Sequence, residues 1–412
     1  MADISKVPYS RIEIKKYKDI ISPVLYNEIL TLGEKLKRIK IAVVNSTASG
    51  GGVAEILKSL IPMFESIGIN IAWYVTRTEP NFFSTTKKLH NLLQGQQGKF
   101  SDKELKQYID TNKQIAEQLK QLNSDVLIIN DPQPLSAGAE VCKKFKTVWH
   151  CHVDTSFVNE WARAMIVPFV NKYSRVIFSL SEYELEGINK DKLLFFPPAI
   201  DPLSLKNVII NRDFAENMLR RFKIDPRRPI LVQISRFDHW KDPLGVIKSY
   251  LQVRKHFPDS QLILTGSLPE DDPEAIQVIQ EIKDKTINDE NIFILSDRDG
   301  LGSIEINALQ TIADVVIQKS KREGFGLTVT EAMWKKNPVV GGKTGGIKVQ
   351  IEDGISGFLV ETIEQCTNAV ITLLKDVNLK TRMGEKAKES VREKYLMPRL
   401  LRDYMLMLIG MT

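Results

Sequence analysis

The sequence predicts an α/β protein built from two Rossmann-like, doubly wound halves. Short β-branched runs alternate with longer amphipathic segments, which is typical of βαβ units that bury a parallel sheet on both faces. The series restarts after residue 200, and a chain of 412 residues exceeds what one hydrophobic core usually supports. We therefore expect two domains, residues 1–200 and 201–385, and a C-terminal helix over 386–412 that returns towards the first domain. Pro398 is expected to break this helical pattern.

The predicted strands are short apolar runs. In the first half they are residues 39–44, 126–129, 147–150, 176–178 and 193–196, and in the second 229–234, 262–266, 292–295, 315–317 and 339–340. Pro197-Pro198 and Asp201-Pro202 separate the two series, because the residue before a proline disfavours helix. Ligands of doubly wound sheets bind beyond the carboxyl ends of the strands. We therefore expect a site where the two halves face each other across a cleft.

The composition excludes several classes of function. The chain has 57 basic and 51 acidic side chains, a net charge of +6 with the signs interleaved, so nucleic-acid binding is not indicated. No apolar run approaches the roughly 20 residues of a membrane span, and the N-terminal region has no secretory apolar core. The three cysteines form no CxxC pair, which argues against a disulfide framework or a zinc site. A cytoplasmic protein without a membrane partner is expected.

Two motifs follow the first strands of the first half. Gly51 and Gly52 lie in a glycine run that leads into a helix, where free N–H groups favour a phosphate or another close ligand. A tight strand-to-helix turn is the alternative interpretation. Asp131 and Gln133 lie in a stiff, proline-rich segment after the strand at 126–129. They suit a contact at the rim of a site, and a helix N-cap is the alternative for Asp131.

A third motif, Trp-His-Cys-His-Val-Asp, covers residues 149–154. Two histidines two positions apart on a strand point to the same face. Such spacing can bind a metal ion, but no third ligand is evident nearby. His152 lies at the strand end and is the functional candidate, whereas His150 is interpreted as a core residue.

In the second half, Arg236 and Lys241 follow the strand at 229–234. Two cations at a strand end can hold a diphosphate and neutralise it as it leaves, although solvated surface cations are the common alternative. Glu323 and Glu331 lie eight residues apart around a Gly-Phe-Gly turn that leads into a helix. The turn offers N–H groups to a phosphate, and the two acids could bind hydroxyls at both ends of a sugar nucleotide. The alternative is an exposed helix residue and an acid that complements the helix dipole.

Together these motifs resemble the signature of retaining GT-B glycosyltransferases, and the resemblance covers nearly the whole chain. The residues that carry it are Arg236, Lys241, 323–331, 345–347 and 353–360, and the segments 45–57, 92–95, 131–134, 152–154, 197–203 and 322–334 resemble the trehalose glycosyltransferring synthases in particular. Most GT-B members place Pro-Glu after Gly-Gly-Ile, where this chain has Lys348-Val349-Gln350. The loop at 155–159 also differs from the comparable members, and this leaves the acceptor open.

The resemblance implies that glucose passes from a nucleoside-diphosphate glucose (UDP-, ADP- or GDP-glucose) to free glucose, with retention, giving trehalose. It implies front-face substitution without a metal or other cofactor, in a homodimer. By analogy, Arg236 and Lys241 bind the diphosphate, Glu331 the ribose, and Glu323 the donor sugar beside Gly324, Phe325, Gly326 and Leu327. His152 is then near the reacting centre, Gly51 and Gly52 lie under phosphate or acceptor, and Asp131, Gln133 and Asp154 are substrate contacts.

Four alternatives remain. A trehalose phosphorylase would use the same fold and motifs with inorganic phosphate, although Glu331 would then have no ribose to bind. A retaining GT-B enzyme with another acceptor would differ in the loop at 155–159. A dinucleotide-dependent oxidoreductase lacks support, because no G-x-G-x-x-G is present. A sugar-binding protein without catalysis is the fourth, and a covalent nucleophilic role for Glu323 is the less favoured mechanism.

Overall fold

Each half of the chain forms its own largely parallel β-sheet. The computed structural model describes residues 2–49, 51–266, 273–287 and 289–411. The chain divides into unit 1, which comprises Met1–Ala199 and Met397–Thr412, and unit 2, which comprises Ile200–Leu396. The prediction of an α/β protein with two Rossmann-like halves is confirmed.

The described residues form thirteen strands, seven in unit 1 and six in unit 2. They are β1 Asp3–Lys6, β2 Lys40–Asn45, β3 Asn70–Arg77, β4 Val126–Asn130, β5 Lys146–Cys151, β6 Arg175–Phe178, β7 Leu193–Phe195, β8 Ile230–Ile234, β9 Gln261–Gly266, β10 Ile292–Ser296, β11 Val315–Gln318, β12 Val339–Gly342 and β13 Gly357–Val360. Every residue of the central strands β4 and β8 is buried, as expected for strands covered on both faces.

Helices connect most of these strands. In the described residues they are α1 Pro23–Leu36, α2 Gly52–Ser66, α3 Pro80–Leu93, α4 Asp102–Lys120, α5 Leu135–Glu140, α6 Glu160–Val170, α7 Arg212–Leu219, α8 Pro243–Val253, α9 Pro273–Lys285, α10 Ser303–Ile312, α11 Leu327–Trp334, α12 Ile347–Gln350, α13 Ile363–Lys375, α14 Val377–Lys394 and α15 Met397–Ile409. In the part of the chain that the structure describes, no helix combines the length and the apolar character that crossing a membrane requires.

The strand order creates one topological switch point in each sheet. Unit 1 has the order β1-β3-β2-β4-β5-β6-β7 and unit 2 the order β10-β9-β8-β11-β12-β13. Strand β1 pairs antiparallel with β3, and β2 is parallel to both β3 and β4. Strand β8 is likewise parallel to both β9 and β11. The chain therefore reverses its direction of growth between β2 and β4 and between β8 and β11, where α/β sheets bind ligands.

The C-terminal segment forms two helices, and the break that the sequence predicted at Pro398 lies just before it, between Lys394 and Met397. Residues 386–394 continue α14 of unit 2, whose first turn is capped by Asp376, which accepts a hydrogen bond from the Leu379 N–H at 2.8 Å. Helix α15 then begins with Pro398 in its first turn, where an N–H has no intrahelical partner to lose. Residues from Met397 onwards belong to unit 1.

Candidate functional site

Two predicted site residues of unit 2 form an ion pair at the switch point between β8 and β11. Lys241 follows β8 and Glu323 follows β11, and Nζ of Lys241 lies 2.8 Å from Oε2 of Glu323. Their side chains are only 12% and 11% exposed. Gln233 holds the backbone of this loop, because its Nε2 donates to the Lys241 carbonyl at 2.7 Å. Both groups are therefore held in place at the edge where a doubly wound sheet binds its ligand.

The turn from Gly324 to Gly326 connects this ion pair to α11. Gly326 has φ +83°, the left-handed region that favours glycine, and the helix begins at the next residue, Leu327. The Phe325 side chain is buried and packs against Tyr395, with the ring centroids 5.6 Å apart. The first N–H groups of a helix have no intrahelical acceptor, so this end of α11 can receive an anion.

Glu331 lies in the interior of unit 2. Its side chain is 1% exposed, and its Oε1 lies 3.5 Å from Nζ of Lys206. Gln310 lies on α10, and its Nε2 contacts Oε2 of Glu331 at 3.4 Å. The two acids that the sequence analysis paired thus differ in setting, because Glu323 contacts Lys241 beside the turn and Glu331 is inside α11. The ribose contact of Glu331 stays a prediction.

Arg236, the second predicted cation, is 67% exposed and pairs with Oδ2 of Asp238 at 3.0 Å. The same Asp238 accepts a hydrogen bond from the Lys241 N–H at 3.1 Å. A single acid therefore connects the two predicted cations. Trp240, between them in sequence, is 53% exposed, and the guanidinium of Arg322 lies 5.6 Å from its ring centroid. The sequence analysis did not assign a role to this aromatic side chain.

In unit 1, His152 is oriented by the residue at the end of the neighbouring strand. Its Nε2 lies 3.0 Å from Oδ1 of Asn130, whose Nδ2 donates to the Val44 carbonyl. Since Oδ1 only accepts, Nε2 of His152 carries the proton and Nδ1 keeps a free lone pair. Burial lowers the pKa of His152 to about 3, so the ring is neutral. Such an imidazole can accept a hydrogen bond from a substrate hydroxyl at Nδ1.

His150 stacks on His152, with ring centroids 3.8 Å apart. It is buried, as the sequence analysis expected, and its Nδ1 is hydrogen-bonded to the Tyr404 hydroxyl of α15. Burial lowers the pKa of His150 as well. The described residues contain no cluster of three or more His, Cys, Asp or Glu side chains that could hold a metal ion.

Asp131 begins the loop that follows β4, with φ +62°. Its Oδ1 accepts the His152 N–H at 2.9 Å, and its carbonyl accepts Nε1–H of Trp149 at 2.9 Å. Burial raises the pKa of the Asp131 carboxyl to about 7. The alternative role as a helix cap is not observed, because α5 begins at Leu135 with Pro134 in the cap position.

Asp154 shapes the loop that departs from the expected family sequence. Its Oδ1 accepts hydrogen bonds from Ser156, at 3.0 Å from the backbone N–H and 2.6 Å from the hydroxyl. The next residue, Phe157, is 74% exposed and lines an open pocket of about 580 Å³ together with Gly95 and Trp161. Asp154 therefore acts on this loop in the structure, and a direct substrate contact stays a prediction.

The remaining candidates of unit 1 lie beside the same strand ends. Gly51 precedes α2 with φ +80°, and Gly52 is the first residue of that helix. Gly50, which belongs to the same motif, lies outside the described residues. The carbonyl of Gln133 accepts a hydrogen bond from the Asn112 side chain at 3.1 Å. These residues follow β2 and β4, the strands that flank the switch point of unit 1.

Two residues that hold the histidines were missed in the sequence analysis. Asn130 directly precedes Asp131, so its position at a strand end was a usable signal. Tyr404 lies 254 residues from His150, and no local pattern connects them.

Comparison with known proteins gives consistent matches over both units. Residues 43–185 match the family model described as trehalose synthase, N-terminal domain, and residues 214–390 match glycosyl transferases group 1. A trehalose synthase of Thermococcus litoralis is 39% identical over 98% of both chains. One of Rubrobacter xylanophilus is 40% identical over 94% of both.

More distant similarities extend to a phosphorylase and to solved structures. A trehalose phosphorylase of Grifola frondosa is 29% identical over 92% of this chain and 58% of its own length. The solved structure of Anabaena HepE with UDP and glucose has a TM-score of 0.70 at 17% identity, covering 90% of this chain and all of that one. The sucrose-phosphate synthase of Thermosynechococcus elongatus has a TM-score of 0.71 at 15% identity, covering 91% and 99%. The expected GT-B fold is confirmed.

Proposed function

The chain belongs to the trehalose synthase family of group 1 glycosyltransferases, and on that premise we propose that it transfers glucose from a nucleoside-diphosphate glucose to free glucose, forming α,α-trehalose. It is a hexosyltransferase whose chemistry concerns trehalose. The identity of donor and acceptor and the retention of configuration are the proposed parts.

The single observation that carries the donor assignment is the ion pair of Lys241 and Glu323 beside the start of α11. A diphosphate needs a positive charge and directed N–H groups, and a hexose needs an acceptor for its hydroxyls. Lys241, the first turn of α11 and Glu323 supply these in that order. Exposed Arg236, on the same loop as Lys241, provides a second positive charge for the phosphates.

In the proposed reaction the bond between the anomeric carbon of glucose and the diphosphate oxygen breaks. A bond forms on the same face between that carbon and an acceptor hydroxyl oxygen, and the hydroxyl proton passes to the departing phosphate. Lys241 and Arg236 stabilise the charge that grows on the leaving group. Glu323 forms no bond to the anomeric carbon in this scheme, so no glucosyl adduct forms on it. Its contact with the Lys241 ammonium also makes it a weaker nucleophile.

We place the acceptor hydroxyls against unit 1. His152 keeps a free lone pair on Nδ1, and Asp131 lies next to it with a pKa near neutrality. The loop with Phe157 borders an open pocket in the same unit. A neutral hexose suits a neutral imidazole and a carboxyl that carries no positive charge better than a phosphorylated sugar would.

The phosphorylase alternative is favoured by one observation, the similarity to the Grifola frondosa enzyme. In that reaction inorganic phosphate would occupy the start of α11, and no ribose would be bound. The lower identity and the partial coverage of that relative make this the second candidate.

The test is incubation of the purified protein with UDP-, ADP- or GDP-glucose and free glucose, with chromatographic detection of disaccharide. Trehalose with both anomeric centres in the α configuration by NMR is the expected product. In a parallel incubation, the protein is given trehalose and inorganic phosphate without any nucleotide. Glucose 1-phosphate from that mixture, with no product from any nucleotide donor, would establish the phosphorylase instead.

A further inference from the structure

A buried glutamine lies behind the Gly-Phe-Gly turn. Gln350 is the last residue of α12 and is 2% exposed. Its Nε2 donates to the Phe325 carbonyl at 2.5 Å and lies 3.2 Å from the Gly346 carbonyl and 3.4 Å from that of Gly326. Its Oε1 accepts the hydroxyl of Thr330 at 2.6 Å. One carboxamide therefore joins the turn, α11 and α12.

These contacts determine which way the peptide groups of the turn face. In a trans peptide the carbonyl and the following N–H point in opposite directions. Because the carbonyls of Phe325 and Gly326 point towards Gln350, the N–H groups of Gly326 and Leu327 point away from it. A buried Phe325 carbonyl without a donor would be costly, so the carboxamide stabilises its orientation. The Gly326 carbonyl also accepts the Val329 N–H at 2.9 Å.

Gly346 also contacts the Gly-Phe-Gly turn. Its N–H donates to the Gly324 carbonyl at 3.1 Å. A Cβ atom at this position would lie 2.4 Å from Cα of Phe325, a distance that requires glycine. The backbone of the turn is thus held closely by residues 346 and 350.

We propose that Gln350 is a positioning residue for the donor: it fixes the peptide planes of the turn so that their N–H groups and Glu323 receive the diphosphate sugar. The inference rests on the proposed function and deepens it. It assigns a role to Gln350, the last residue of the Lys348-Val349-Gln350 stretch. A residue that only filled the core would affect stability and leave donor binding unchanged.

The first test compares Gln350→Met with Gln261→Met. Gln261 is a matched control, because it is also buried in unit 2 and binds backbone through both ends of its carboxamide, at Asp225. It lies at the first residue of β9, the end of the strand away from the candidate site. Donor and acceptor KM and kcat, UDP affinity by calorimetry and the melting temperature are measured for both.

We expect Gln350→Met to reduce kcat/KM for the donor by about tenfold or more, the equivalent of one lost hydrogen-bonded contact. The acceptor KM should not change. Gln261→Met should lose comparable stability and keep wild-type kinetics. If Gln350→Met and Gln261→Met lost equal stability and Gln350→Met kept the wild-type affinity for UDP, the role of Gln350 would be overturned. The proposed function would not be affected by that result. A wild-type protein that binds no nucleotide and uses no nucleotide sugar would overturn the proposed function with it.

Gln350→Glu provides a second test that does not depend on tolerance of the Met variant. An ionised carboxylate repels the carbonyls of the turn, whereas a protonated one can donate to the Phe325 carbonyl and still accept from Thr330. Donor affinity of this variant, relative to the wild type, should therefore recover as the pH falls. A purely structural role would give no such pH-dependent recovery, and a flat ratio across pH would contradict the proposal.

Discussion

Glu323 and Lys241 are separated by 82 residues in sequence and by 2.8 Å in space. Both side chains are nearly buried, so water solvates neither charge well, and each charge is compensated by the other. Removing one member leaves an uncompensated charge, whereas a neutral isostere keeps a hydrogen bond. Substitutions that preserve shape therefore separate the chemical role of this pair from its contribution to folding.

Glu323→Gln should lower trehalose formation by about 10²–10³-fold while the protein remains folded, because an amide is a poorer acceptor for sugar hydroxyls and no longer pairs with the ammonium. Glu323→Ala should lose transfer as well. Initial rates and circular dichroism provide the measurement, with exposed Glu389→Gln as the control. Wild-type turnover in either Glu323 variant would remove this residue from the site.

Chelation should leave the rate of transfer unchanged, since Lys241 and Arg236 are proposed to supply the charge that a divalent cation supplies elsewhere. The assay is run after dialysis against EDTA and again with added Mg²⁺. Loss of activity on chelation, restored by the metal, would contradict the proposed mechanism.

Asp131→Asn should change how stability depends on pH. Burial raises the carboxyl pKa to about 7 from its ordinary 3.8, so between these values the folded state holds a proton that the unfolded state has lost. Stability of the wild type therefore falls as the pH rises through this window. Asparagine stays neutral, keeps the oxygen that accepts the His152 N–H, and tolerates positive φ.

The free energy of unfolding of the wild type, relative to Asp131→Asn, should drop by about 1–3 kcal/mol between about pH 4 and pH 8. Denaturant titrations at several pH values measure it, with Asp110→Asn at an exposed position as the control. If the difference in free energy of unfolding between the wild type and Asp131→Asn stayed constant across pH, burial would not raise the pKa of this carboxyl.

At this scale the sequence located most candidates but not their partners. Glu323, Lys241, Asp131 and His152 were identifiable because each follows a strand at a carboxyl end. The pairing of Glu323 with Lys241 depends on β8 lying next to β11, a neighbour relation that residues 232 and 316 share only in the folded sheet. The spacing of residues along the sequence therefore does not predict this ion pair.

Helix α11 separates two environments within two turns. Its first residues follow the left-handed Gly326, and Glu331 and Lys335 lie one turn apart near its other end. Nζ of Lys335 donates to Oε1 of Gln310 at 2.9 Å and to the Glu331 carbonyl at 3.2 Å. Burial lowers the pKa of Lys335 to about 8, against the opposing effect of Glu331. The interior end of the helix therefore carries a titratable group that the sequence analysis did not single out.

The free energy of unfolding of the wild type should rise with pH in alkaline solution, and Lys335→Met should abolish that rise. Between about pH 8 and the ordinary lysine pKa of 10.5, the unfolded state binds a proton that the folded state lacks. Wild-type stability therefore increases with pH in this window, by about 1–3 kcal/mol relative to the variant. Urea unfolding across that range is the measurement, with Lys113→Met at an exposed site as the control. Parallel curves for wild type and Lys335→Met would contradict the assignment.

The sequence predicted ten of the thirteen strands in the described residues and missed β1, β3 and β13. Runs such as β4 and β8 are apolar throughout, since both faces are covered. Strand β3 buries only Ile71, Trp73 and Thr76, and β1 is a polar strand that pairs antiparallel with it. Residues 357–360, which the sequence analysis did not include among the strands, form the edge strand β13. Strands at an edge need less apolar surface, so their pattern is weaker.

On the scale of the whole molecule, one unit is continuous in sequence and the other is not. Unit 2 is a single stretch, whereas unit 1 includes α15 from the other end of the chain. Tyr404 of α15 packs against Phe196 and Phe64 and is hydrogen-bonded to His150. The sequence predicted that the C-terminal helix returns towards the first domain, but the residues that it contacts there depend on the complete fold.

Tyr404→Phe should destabilise unit 1 by about 1–2 kcal/mol, because Nδ1 of buried His150 loses its partner. Tyr250→Phe is the matched control in unit 2, since its buried hydroxyl donates to the Ser260 carbonyl at 2.7 Å. Unfolding followed by hydrogen exchange assigns each loss to a unit. Protection in unit 1 that is unchanged by Tyr404→Phe would contradict the role of this hydroxyl.

The return of α15 has a consequence for biosynthesis. A ribosome releases the residues of unit 1 up to Ala199 first, and then the whole of unit 2, before residues 397–409 emerge. Unit 2 is therefore complete as a folding unit while unit 1 still lacks its last helix. The hydrogen bond from Tyr404 to His150 forms only after that point. The environment of the histidine pair in unit 1 is thus completed last. The segment that completes it is translated after all the residues assigned to donor binding.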